Sequence, residues 1–183
     1  MKKKTSSGCI HSFKKSVFLP AYQTANGFQD LAEHGYLLFL KSISKNINND
    51  LSLCLESNSL HSSCINASLA IEIYLKSFLI NPQTNRINGK SGHTLHNLYK
   101  RIPIKAKVQL SESLIKRGWE IEQELYRYAN YFKYSRYLYE DNKDKIEKGS
   151  NIQQFDFKSA SNQLILLSRD IRESVKSIVE KEK

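Results

Sequence analysis

Apolar residues recur along most of the chain at three- and four-residue spacing rather than in two-residue alternation, which predicts an all-α protein. A first helix is expected from the residue after Pro20 to the Ile43 region, with Phe28, Leu31, Ala32, Gly35, Leu38, Phe39 and Ile43 on one stripe. Gly27 and Gly35 weaken it and mark a bend or a close-packing point. A second helical stretch covers about Asp50 to Ile80, with the Ser- and Asn-rich segment ESNSLHSS as a candidate break. Its later part is apolar on two sides: Leu60, Cys64, Ala67, Ile71, Leu75 and Phe78 on one, Ile65, Leu69, Ile73 and Ile80 on the other. That pattern belongs to a central helix packed by neighbours on both faces.

The segment NPQTNRINGKSG, punctuated by Pro82, Gly89 and Gly92, reads as a loop. A short helix then runs from about Thr94 to Arg101 and stops at Pro103; another spans Ile104 to Arg117 and ends at Gly118. A further helix is expected from Trp119 to Glu140, followed by the polar connection DNKDKIEKGSNIQQ. The last helix starts near Asp156, with Phe157, Ala160, Leu164, Leu167, Ile171 and Ile178 at helical spacing. The sum is an antiparallel bundle of about five to six helices: a basic arm over residues 1–20 and a single domain over 21–183.

Composition narrows the class. No run approaches the ~20 apolar residues of a spanning helix, so no membrane segment is expected. The lysine-rich start lacks a continuous apolar stretch and a cleavage site, which argues against a secretory signal. Three cysteines are few and odd in number, as suits a reducing, cytoplasmic setting. The formal charge of +10 recruits polyanions, with RNA as the first candidate partner. Eight bases against Glu112 alone lie between Arg86 and Arg117, Lys100 and Arg101 among them. Cys54, His61 and Cys64 share a helical side but lack the compact spacing of a zinc site, so neither metal nor cofactor is expected and the cysteines read as core. No phosphate-cradling glycine loop is present.

Six of the ten tyrosines crowd into YRYANYFKYSRYLYE, Tyr126 to Glu140. Ile121, Leu125, Tyr128, Phe132 and Tyr139 fall on one stripe, the core face, and Arg136 completes that series. A guanidinium beside the interior needs a partner. Glu72, four residues before Lys76 in the apolar middle of the central helix, is the carboxylate expected to pair with Lys76 and with Arg136, either as a structural ion pair or as the edge of a phosphate-binding cleft. Tyr126, Tyr131, Tyr134 and Tyr137 lie on a second face with Arg127 and Asn130, near Lys133. Two readings stand for it: packing against a helix or subunit, and base stacking with arginine contacts.

NASLAIEIYLKSFL, then GHTLHNLY, then YFKYSRYLYE resembles the HEPN family of helical nucleotide-binding domains. The shared features are an acidic residue ahead of Leu-Lys (Glu72, Leu75, Lys76), a Gly-His-x-Leu segment (Gly92, His93, Leu95) and an Arg-Tyr-x-Tyr-Glu ending (Arg136, Tyr137, Tyr139, Glu140). The similarity covers about Asn66 to Glu140. It implies a four- or five-helix antiparallel core, homodimerisation, and a place in prokaryotic toxin–antitoxin or anti-phage systems. It also implies metal-independent RNA cleavage by an arginine and a histidine with four to six residues between them. No histidine follows Arg136 here; the pair with that spacing is Arg86 and His93, in the loop RINGKSGH. His93 is therefore read either as the catalytic histidine beside Arg136 or as a residue that caps or orients the next helix, and His96 carries the same two readings. The alternative function is a catalytically inactive HEPN-like module whose aromatic face binds a protein partner such as a minimal nucleotidyltransferase.

Overall fold

The computed structural model describes residues 15–44, 50–81, 83–87, 92–129 and 157–181. Among them are six helices: α1 (Lys15–Ser44), α2 (Asp50–Ser77), α3 (Leu95–Arg101), α4 (Ile104–Ile115), α5 (Ile121–Arg127) and α6 (Phe157–Lys181). The only extended pairing among these residues is one antiparallel bridge, Ile80 to Ile87. The all-α reading holds, and no helix of the described residues is long and apolar enough to cross a membrane.

Three long helices make the frame. Phe18 meets Phe78, Tyr22 meets Tyr74 and Gly35 meets Ser63, so α1 and α2 run antiparallel. Tyr36 bonds Asn162 while Arg172 bonds Asp30, so α6 also runs against α1 and lies parallel to α2. The inner face of α1 carries Phe18, Tyr22, Ala25, Gln29, Ala32, Tyr36, Phe39 and Ile43, with strict four- and three-residue alternation. On α6 the matching series is Ser161, Leu164, Ser168, Ile171, Val175 and Ile178. Such spacing keeps one seam against a neighbour for the length of a helix.

Two expectations for α1 are corrected. The helix begins at Lys15 and carries Pro20 inside it. Proline removes one backbone bond and crowds the preceding turn, but Phe18 is buried against Phe78 and Tyr22, and that burial holds the extra turn in place. Leu31 and Leu38, expected in the core, are 56% and 47% exposed. The seam is rotated towards Ala25 and Gln29, the latter meeting Ser168 of α6, and a close approach of α1 to α2 occurs at Gly35. At Gly35 a Cβ would clash with the Ser63 hydroxyl and lie 3.3 Å from the Ser59 carbonyl.

α2 is unbroken through ESNSLHSS, contrary to the expected break. Ser63 turns its hydroxyl back to the Ser59 carbonyl at 2.7 Å, so it stays in the helix without a partner outside it. From Ala67 to its end at Ser77 the helix is buried nearly all round, and Phe78 and Leu79 after it are buried too. Its second face is made of Ser63, Ala70, Tyr74 and Ser77; Ile65, Leu69, Ile73 and Ile80 are half-buried.

Short helices close one end. Leu79 donates to Lys76 O, and a turn with Asn85 at φ 52 brings the chain back through the Ile80 to Ile87 bridge. α3 starts after Thr94 and stops before Pro103, and α4 stops short of Gly118 at φ 86, as their punctuation predicts. Arg117 and Trp119 then clasp α6, donating to the two carboxylate oxygens of Asp170 at 2.9 and 2.7 Å.

The helix expected from Trp119 to Glu140 is shorter in its described part. It opens at Ile121 and gives way to a turn at Tyr128 and Ala129. Ile121, Leu125 and Tyr128 form the anticipated core stripe. Tyr128 also donates its hydroxyl to the Ala160 carbonyl of α6 at 3.1 Å, and this tertiary anchor sits where the helix stops.

Candidate functional site

α2 and the entry to α3 bring three of the sequence-predicted residues together. Glu72 faces inward from the apolar middle of α2, with 4% of its side chain exposed. Its Oε1 accepts from Lys76 Nζ at 2.6 Å, one turn along the same helix, as their spacing predicts. The same oxygen lies 2.9 Å from Nδ1 of His93. The returning loop after α2 delivers His93 there, and Leu95, Leu98 and Tyr99 bury the adjoining helix in the core. His93 thus bonds across to α2, and Thr94 occupies the N-cap of α3 without a side-chain cap bond.

An ionised carboxylate only accepts hydrogen bonds, so Nδ1 carries the proton in this contact and Nε2 is the basic nitrogen of the neutral ring. The His93 side chain is 66% exposed while its anchor is buried. That combination holds an exposed imidazole in place against a buried carboxylate. Glu72 Oε2 is buried and has no hydrogen-bond partner among the described residues. Lys76, 16% exposed, balances the carboxylate charge and places a cation beside the imidazole.

The remaining predicted residues divide sharply. Arg127, at the end of α5, is exposed and donates to Glu124 Oε2 at 3.2 Å and Gln163 Oε1 at 3.4 Å. Lys100 and Arg101 are exposed in the last turn of α3, where they suit its negative end. Arg86 is exposed in the loop before His93. Arg136, Tyr131, Lys133, Tyr134, Tyr137, Tyr139 and Glu140 lie outside the described residues, and with them the expected Glu72 to Arg136 pair. Cys64 is a buried core residue, and among the described residues no three His, Cys, Asp or Glu side chains converge as a metal site.

The bond between His93 and Glu72 was not anticipated from the sequence, where Arg136 stood as the cross-helix partner of Glu72. A further contact also went unforeseen: His96, on α3, lies edge-on to Tyr126 of α5. Helical spacing on either segment identifies each residue's face but not which face meets which.

A polar seam elsewhere is structural. The Ser168 hydroxyl bonds Gln29 Oε1 and sits 3.1 Å from the Ala67 carbonyl, joining α6, α1 and α2 in the interior. Gln29 donates on to Glu33, which also accepts from Arg169 at 2.9 Å. Burial pushes the Glu33 carboxyl up, but the bonds from Gln29 and Arg169 and the charges of Arg169 and Arg172 outweigh it and hold it below the ordinary carboxylate value.

The family model of the HEPN domain matches residues 38–175, from the second half of α1 to α6. The chain belongs to the HEPN domain family. No curated protein and no solved structure matches it. The matched span of this HEPN domain contains Glu72, Lys76 and His93, together with the segment that holds Arg136.

Proposed function

We propose that this HEPN domain binds RNA and cleaves it without a metal ion. The observation that carries this reading is the bond from His93 to Glu72: an exposed imidazole held in one tautomer by a buried carboxylate is suited to moving a proton. In the proposed reaction the 2′-hydroxyl attacks the adjacent phosphorus and its proton passes to Nε2 of His93. The bond from phosphorus to the 5′-oxygen breaks, leaving a 2′,3′-cyclic phosphate and a 5′-hydroxyl that takes up the proton. Lys76 and Arg136 are assigned to the developing phosphate charge. The bases between Arg86 and Arg117 and the overall charge of +10 supply the non-specific attraction for the RNA backbone. A homodimer in a prokaryotic toxin–antitoxin or anti-phage system is the setting this reading fits.

Total RNA incubated in EDTA with the wild type, His93→Ala and Arg136→Ala tests it. Cleavage by the wild type, lost in both variants while circular dichroism is unchanged, is the expected result. Undiminished cleavage by His93→Ala removes His93 from the chemistry.

A second reading rests on the outer side of α1, where Leu31, Leu37, Leu38 and Leu40 are all more than 40% exposed. A non-catalytic module would use such a face to bind a protein such as a minimal nucleotidyltransferase. Salt separates the two: phosphate contacts weaken steeply as salt rises, and an apolar interface does not.

A further inference from the structure

Three residues beyond His93 a second feature begins, a groove of ≈ 570 Å³ between α3 and α5. It is shallow and largely open to solvent, and is lined by His96, Glu122, Gln123, Tyr126 and Arg127. Tyr126 stands out among them. It is a large aromatic ring, 70% exposed, on a helix whose neighbours Ile121, Leu125 and Tyr128 are buried. It is nonetheless braced: the His96 ring lies against it at 5.4 Å and 84°, and His96, only 15% exposed, directs Nε2 to Glu122 Oε1 at 3.4 Å.

We infer that this groove is a nucleobase subsite, in which a base stacks on Tyr126 and is read at its edge by Glu122 and Gln123. The inference rests on the RNA reading above and adds the part of the substrate recognised beside the scissile phosphate. Charge disfavours a phosphate in the groove, because the basic groups on its lining, Arg127 and His96, already face Glu124 and Glu122. A neutral ring suits it better. Exposed aromatics serve single-stranded RNA as stacking platforms, and hydrogen bonds to the base edges give the sequence preference. Glu122 and Tyr126 are one helical turn apart and so share a face. A carboxylate accepts from two donors side by side, and guanine is the base that offers two neighbouring N–H donors on its pairing edge. Guanine is therefore the base this subsite selects. His93 and His96 flank the first turn of α3, so an RNA strand engaged at His93 passes the groove with an adjacent nucleotide.

Titration of the full chain with guanosine and with adenosine, followed by NMR of the ring protons of His96 and Tyr126, tests the assignment apart from any cleavage. Guanosine is expected to shift both rings saturably and to bind more tightly than adenosine. Tyr126→Ala should weaken it by roughly 5- to 150-fold, the range of a lost base-aromatic stack, while Tyr126→Phe keeps the affinity and Glu122→Gln removes the preference over adenosine. Guanosine that leaves both rings unmoved overturns the subsite, even if the protein cleaves RNA. Saturable guanosine binding that survives in His93→Ala upholds it, even where the wild type cleaves nothing and the nuclease reading falls.

Discussion

Nδ1 of His93 lies 2.9 Å from Oε1 of Glu72, joining an exposed imidazole at the start of α3 to a carboxylate buried in the central helix. Glu72→Gln preserves the shape of that anchor but removes its charge and lets the amide reorient towards either partner. RNA cleavage is expected to fall by about 10- to 100-fold, as when an orienting partner of a functional histidine is removed, with the helical spectrum unchanged. Single-turnover cleavage measured on matched protein concentrations checks it, and an unaltered rate would detach Glu72 from His93 in function.

Gly35 lets α1 pass Ser59 and Ser63 of α2. Gly35→Ala is expected to destabilise the protein by about 1–3 kcal/mol, the usual penalty of overpacking, in spite of the better helix propensity of alanine. Urea unfolding measures the loss. Because the hydroxyl of Ser63 is the nearest obstruction, Ser63→Gly in the same chain should recover part of it, and no recovery would mean that the Ser59 carbonyl dominates.

Asp170 takes one donor from Arg117 and one from the indole of Trp119. Asp170→Ala leaves the half-buried indole N–H without its acceptor and is expected to cost about 1–3 kcal/mol. Trp119 is the sole tryptophan, so its fluorescence reports the change directly. A red-shifted emission in the folded variant is expected, and an unchanged spectrum would show that the clasp does not hold the ring.

Stability should depend on acid through Glu33. Its folded-state carboxyl lies below the ordinary value, so its contribution is complete above the unfolded pKa and is lost as pH falls through the folded one. The melting temperature of the wild type is therefore expected to drop more between about pH 5 and pH 3 than that of Glu33→Gln. Parallel curves for the two proteins would contradict it.

How far the sequence could be read depended on the kind of signal. Pro103 and Gly118 end helices by local stereochemistry, and α3 and α4 stop where those residues predict. The strong apolar period of α6 likewise placed Leu164, Leu167, Ile171 and Ile178 in the core. α1 misled because Leu31 and Leu38 are the more hydrophobic choice, yet the buried seam runs through Ala25, Gln29 and Ala32, with Gln29 bonded to Ser168 of α6. ESNSLHSS looked like a break because serine competes for backbone bonds, but Ser63 satisfies itself within the helix. Within the site, the bond of Glu72 to Lys76 was legible as an i,i+4 pair. His93 was identified as a candidate, but its carboxylate partner lies 21 residues earlier and becomes visible only when the loop after α2 folds back.

The small polar seam of Gln29, Ser168 and the Ala67 carbonyl has a consequence for which fold forms at all. Apolar layers on α1, α2 and α6 repeat along each helix and would tolerate a slip of one turn with little loss of buried area. Gln29 has no counterpart on the α1 seam, and a slip of one turn would move it away from Ser168 and strand it in the interior. The seam thus acts as a key that admits a single alignment of three interchangeable-looking rods.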